Sequence, residues 1–121
     1  MKHIKQYEKI STTPKVGDYV LLHFDFSSEP DLYKPIYGVS NSDITNYINN
    51  TIGQIYKIDN GGHSPYFVEY KDVPYNLKFW FAKDKDVFFR TASANNIWYI
   101  SSNIEDLKKV LLSKLSQKYN L

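Results

Sequence analysis

The stretch Val16-Gly17-Asp18-Tyr19-Val20-Leu21-Leu22-His23-Phe24-Asp25-Phe26 decides the fold class. Successive side chains of a strand point to opposite faces. Val16, Val20, Leu22, Phe24 and Phe26 therefore share one apolar face, with Asp18 as the exception, and the stretch is expected to be a strand. A second strand is expected over Ile52-Gly53-Gln54-Ile55-Tyr56-Lys57-Ile58-Asp59. It runs into Asn60-Gly61-Gly62-His63, where asparagine and glycine tolerate the positive φ of a tight turn. Pro65-Tyr66-Phe67-Val68-Glu69-Tyr70 returns as a third strand, so 52–71 is expected to be a β-hairpin.

Between the first two strands lies a long excursion, 27–41, marked by Pro30, Pro35 and Gly38. It also holds Leu32, Tyr33, Ile36, Tyr37 and Val39, and loops that long and apolar are usually packed down or used for binding. Ser42 to Asn50 fits a short helix capped by Asn41 or Ser42, with Ile44, Tyr47 and Ile48 as its apolar stripe. After the third strand, Asp72 to Leu77 breaks the pattern as a turn. Lys78-Phe79-Trp80-Phe81 follows, and Lys83-Asp84-Lys85-Asp86 forms a charged turn. Val87–Arg90 and Ile97–Ile100 are two further short strands. Ser102, with Glu105 three residues on, makes a capping box for a C-terminal amphipathic helix striped by Ile104, Leu107, Leu111 and Leu115. Near the start, Ile4, Tyr7 and Ile10 suit a short helix or arm that Pro14 ends. With no repeat or linker, the expectation is one domain: an arm at 1–15, a β-barrel at 16–100 and a helix at 102–118.

Composition narrows the class. Of 121 residues, 42% are hydrophobic and 17% aromatic, which favours a packed core over disorder. Cysteine is absent, which excludes a disulfide framework, a thiolate metal site and a cysteine nucleophile. No apolar run is long enough to span a membrane. Met1-Lys2-His3-Ile4-Lys5 starts basic without a following apolar stretch, so a protein that stays inside the cell is expected.

Charge is weakly basic, +2, and unevenly spread. Lys2, Lys5, Lys9 and Lys15 oppose only Glu8, and Lys108, Lys109, Lys114 and Lys118 oppose Glu105 and Asp106. Basic ends thus flank an acidic middle. If the ends meet in space, they form a modest basic patch; otherwise they are the solvated faces of terminal elements. Arg90 is the one arginine, which disfavours base readout in a DNA groove. The abundance of lysine, asparagine, isoleucine and tyrosine fits an AT-rich coding sequence.

The sequence carries few chemistry-bearing patterns. His3, His23 and His63 share no ligand spacing, so neither metal nor cofactor is expected. His63-Ser64 with Asp59 offers triad residue types without a nucleophile elbow, and Gly61-Gly62 opens no phosphate loop. Asp84 and Asp86 alternate with Lys83 and Lys85, as in a solvated turn. No catalytic residue is nominated. Aromatics carry more information: eleven tyrosines, seven phenylalanines and two tryptophans exceed what one core needs. Tyrosine and tryptophan bring large contact area at small entropy cost. The candidate binding residues are Tyr33, Tyr37, Tyr75, Phe79 and Trp80, while Trp98, between Ile97 and Ile100, reads as core.

The run Val16-Gly17-Asp18-Tyr19-Val20, an excursion, Ile52-Gly53-Gln54-Ile55-Tyr56, a turn and Tyr66-Phe67-Val68-Glu69-Tyr70 resembles small SH3-like β-barrels of the KOW and Tudor kind. The resemblance covers roughly 16–71. It implies an α+β chain: a barrel of about five strands, a short helix inserted between the first two, and the C-terminal helix. The excursion falls where SH3 domains carry their long binding loop. No Ala-Leu-Tyr-Asp-Tyr signature is present, so a proline-rich ligand is not implied. The overall character also resembles small proteins of phages and large viruses with AT-rich genomes. Three functions remain open: a non-catalytic protein-binding module, such as a viral accessory protein acting in the host cytoplasm or virion; a nucleic-acid binder using Lys5, Lys9, Lys108 and Lys109 with stacked aromatics; and a small enzyme with an unfamiliar site. An exposed apolar patch over 30–40 and 75–81 is what the first of these requires.

Overall fold

A computed structural model describes residues 13–26, 30–31 and 34–118. The expected N-terminal helix or arm, and with it Lys5, Lys9 and His3, falls outside them, apart from 13–15. The described chain is α+β. Its strands are β1 (Tyr19–Leu22), β2 (Gly53–Ile58), β3 (Tyr66–Tyr70), β4 (Ala82–Asp84), β5 (Val87–Ala92) and β6 (Ile97–Ser101), and its helices α1 (Lys34–Tyr37), α2 (Asn41–Asn49) and α3 (Ile104–Lys118). The strands form one antiparallel sheet in the order β4-β5-β3-β2-β1-β6.

This sheet has six strands where about five are expected, and it is open, with β4 and β6 as its edges among the described residues. The additional strand is β4, in the segment read as a charged turn. The reversal itself is only Lys85-Asp86, with Lys85 at φ 57°. The insertion of helix between β1 and β2, and the C-terminal helix, are as expected.

The first strand is shorter than its apolar alternation suggests. Val16 is 60% exposed, and the ladder begins only at Tyr19. Gly17 adopts φ 99°, a conformation strained for any residue with a Cβ, and its N–H donates to the Ile55 carbonyl at 2.8 Å. Asp18 breaks the alternation because its carboxylate is a turn acceptor: it is buried and takes the Lys15 N–H at 2.9 Å. Beyond Leu22, α2 side chains replace the ladder. Asn49 Oδ1 accepts the Phe24 N–H and Asn49 Nδ2 donates to the Phe24 carbonyl, both at 2.9 Å.

Ser40, not Asn41 or Ser42, caps α2, through a reciprocal pair with Asp43. Asn41 is instead buried, and its Nδ2 donates to the carbonyls of Phe26 and Pro30, tying down both ends of the excursion. The α3 cap also shifts by one. Asn103 Oδ1 accepts the Glu105 N–H at 3.0 Å, and Ser101 Oγ donates to Asp106 Oδ2 at 2.6 Å. The hairpin 52–71 forms as expected from β2 and β3. Gly53 is required there because a Cβ would run into Val68 Cγ1.

The sheet separates two apolar clusters. On the inner face, Val20, Leu22, Ile55 and Val68 pack with Ile44 and Ile48 of α2 and with Val73, Leu77 and Phe81. On the outer face, Leu21 packs with Leu107 and Val110 of α3. Burial at roughly 25 cal/mol per Å² makes these two seams the main stabilising term.

Candidate binding surface

The segment read as a turn leading into Lys78-Phe79-Trp80-Phe81 is a 3-10 helix, Tyr75–Trp80. Three residues per turn place Tyr75 and Lys78 on one ridge. Leu77, on another side, is buried and anchors the helix to the inner core. Tyr75 is thereby held outward, 89% exposed.

Helix α1 brings Ile36, 69% exposed, against this ridge. Ile36, Tyr75, Asn76, Lys78 and Phe79 line a surface groove of about 440 Å³. Phe79, in its lining, is partly buried against the inner core, with the Trp80 ring centroid 5.8 Å from its own. The rim is cationic. Lys78 Nζ lies 5.8 Å from the Tyr75 ring centre and 5.3 Å from that of Phe88, and Lys83 Nζ lies 5.6 Å from Phe88. Among the described residues neither ammonium is paired with a carboxylate; the ion pair there is Lys108–Glu105 on α3.

Arg90 supports the groove from within. Its Nη1 donates to the Trp80 carbonyl at 2.8 Å, and its guanidinium lies 5.3 Å from the ring centres of Phe24 and Phe26, which stack on each other. Burial pulls its pKa below the usual arginine value, opposed by nearby Tyr70. Arg90 Nε and the Tyr70 hydroxyl are buried without a hydrogen-bond partner.

Of the nominated aromatics, the structure brings Tyr75 and Phe79 together in the groove, with Trp80 packed beside Phe79 and Phe26. Tyr37 is the last residue of α1, and Tyr33 lies outside the described residues. Ile36, Asn76 and Lys78 were not nominated. The three-residue spacing of Tyr75 and Lys78 is a local signal for that ridge, but the approach of Ile36 across about forty residues leaves no local trace. Lys108 and Lys109 are exposed on α3, on the opposite face of the sheet from the groove. Lys5 and Lys9 fall outside the described residues, so the meeting of the basic ends does too.

A second cavity, about 280 Å³, opens between the end of α2 and the start of α3. Tyr19, Tyr47, Gln54, Glu69, Asp72 and Ile104 are among the residues around it. Burial, and then the Asp72 charge, push the Tyr47 hydroxyl above its usual pKa, against a hydrogen bond from Thr51. A hydroxyl that holds its proton more tightly is a poor nucleophile or base at neutral pH.

Among the described residues, no three histidine, aspartate or glutamate side chains gather as a metal site, and no helix is long and apolar enough to cross a membrane. No family model matches the chain, and comparison with curated proteins and with solved structures gives no significant match.

Proposed function

We propose that this chain is a non-catalytic protein-binding module whose docking surface is the groove between α1 and the 3-10 helix Tyr75–Trp80. The observation that carries the reading is the joint exposure of Ile36 and Tyr75 on opposite walls of one groove. Two large apolar side chains held in water beside each other cost free energy unless a partner covers them. Rigid aromatic anchors with a polar rim are what interface centres use. The unpaired ammonium groups of Lys78 and Lys83 define the partner's chemistry: an apolar anchor flanked by acidic residues.

Ile36 comes to the groove from the excursion between β1 and β2, where SH3 domains carry their binding loop. The pairing of the last strand, β6, with the first, β1, supports an SH3-like relationship, although the sheet itself is open. Size and the lysine-, asparagine- and tyrosine-rich composition support a phage or large-virus accessory protein, such as an inhibitor of a host defence complex or a small virion component.

The test is affinity capture from a host-cell lysate treated with nuclease, with tagged wild type beside the variants Ile36→Asp and Tyr75→Ala. A protein partner retained by wild type and lost by both variants supports the reading. Capture that collapses with nuclease, or that ignores both substitutions, overturns it; the first of these favours a nucleic-acid binder.

A further inference from the structure

The outer face of the sheet is only half covered. Helix α3 lies over β1 and β6, where Leu107 and Val110 meet Leu21, Tyr19 and Tyr99. Its main contacts are with those two strands, and on the outer side of β2, β3 and β5 the side chains of Tyr56, Phe67 and Phe89 are left half-exposed. That strip is aromatic. In register, Glu69 stands opposite Phe89 and Phe67 opposite Thr91, so both phenylalanines point away from the inner core. The Phe67 and Phe89 ring centres lie 5.2 Å apart, and Tyr56 sits 6.2 Å from the first and 5.7 Å from the second. Strand β4 continues the strip, with Ala82 beside Phe89 and Asp84 beside Val87.

Helix α3 carries the complementary half. Leu112 and Leu115 are 64% and 49% exposed. Ile104 lines the cavity shared with Gln54 and Glu69, so that side of the helix faces β2 and β3. A spacing of four, seven and eleven places Lys108, Leu111 and Leu115 on the same side, and Leu112 further round, away from the helix's own sheet. Charge is complementary too. The strip is bordered by Glu69 and Asp84, which both act on the Tyr56 hydroxyl, and α3 presents the exposed Lys109, while Lys108 pairs with Glu105. Lys57 already sits 5.0 Å over the Phe67 ring, so the strip accommodates an ammonium group.

We propose that this half-exposed strip is covered by α3 of a second copy of this chain, in a two-fold symmetric dimer. A two-fold axis running along the strands, between two facing sheets, carries α3 of each copy onto the aromatic strip of the other. The interface is then isologous, and both halves are satisfied at once. Leu112 enters the aromatic strip, and Lys109 approaches Glu69 and Asp84. Occupation is independent of the groove described above, which opens on the inner side of the sheet.

The experiment is sedimentation equilibrium of the full chain from micromolar to millimolar concentration. A mass that doubles with concentration is expected. Leu112→Glu changes an exposed side chain, leaves the fold intact by circular dichroism, and raises the dimer dissociation constant at least about tenfold. Lys109→Glu weakens the dimer, and adding Asp84→Lys to it restores association. A chain that is monomeric at millimolar concentration overturns the proposal, as does a dimer indifferent to both α3 substitutions.

Discussion

Arg90 Nη1 donates to the carbonyl oxygen of Trp80 across 2.8 Å, and this bond joins strand β5 to the end of the 3-10 helix that builds the groove. The same guanidinium lies over Phe24 and Phe26, past the end of β1. One side chain therefore ties together three segments that no backbone ladder connects. Lysine keeps the charge but lacks the planar fork, so it cannot both bond the carbonyl and cover two rings. Arg90→Lys is expected to cost about 2 kcal/mol, most of it from a buried group left imperfectly paired. Urea denaturation measures it; an unchanged midpoint shows that the bond contributes nothing.

Asn49 of α2 holds the same Phe24 by its backbone. Its amide meets both backbone groups of Phe24, as a neighbouring strand would. Asn49→Ala leaves a partly buried N–H and C=O unpaired, and is expected to cost about 2 kcal/mol by urea denaturation. Hydrogen exchange locates the effect: the Phe24 amide loses protection while those of β2 and β3 keep theirs. Equal loss across the sheet shows instead that Asn49 acts on the whole fold.

These two side chains also mark the limit of what the sequence discloses. The hairpin 52–71 was legible because its signals are local: alternation on both strands and Asn-Gly-Gly between them. The C-terminal helix was legible from its leucine spacing. The length of β1 was not, because Phe24 and Phe26 keep the alternation after the ladder ends and only Asn49 and Thr45 show where their N–H groups go. Strand β4 was masked by Lys83 and Asp84, charges that suit an exposed edge as well as a turn. Of the surface, Tyr75 and Phe79 were legible as surplus aromatics. Ile36 became part of it only through a long-range contact.

Tyr75 separates stability from binding. Its side chain is 89% exposed and lies under the Lys78 ammonium at 5.8 Å, a contact worth well under 1 kcal/mol at an exposed site. Tyr75→Ala is expected to shift folding free energy by no more than about 0.5 kcal/mol. Removing an interface anchor commonly costs about 2 kcal/mol of binding, roughly thirtyfold in affinity. Paired measurements on the captured partner and on thermal unfolding check this. A variant that unfolds early shows that Tyr75 belongs to the core.

The alkaline limb of stability reports on Tyr70. Its side chain is almost wholly buried and its hydroxyl has no hydrogen-bond partner. Burial raises its pKa from 10.0; nearby Arg90 opposes the rise and Tyr47 adds to it. The folded chain therefore holds this proton at a pH where the unfolded chain releases it. Above the unfolded value the unfolded state binds fewer protons, so stability falls as pH rises. Below that value, Tyr70 contributes no slope. Urea midpoints at about pH 8 and about pH 11 should differ for wild type, and the difference should shrink in Tyr70→Phe. Some slope remains, because Tyr47 and Tyr56 are also shifted upward, each chiefly by burial. At neutral pH the substitution removes an unpaired hydroxyl from an apolar site, and is expected to change stability by less than about 1 kcal/mol. Equal alkaline losses in the two proteins show that Tyr70 releases its proton as readily in the folded chain as in the unfolded one.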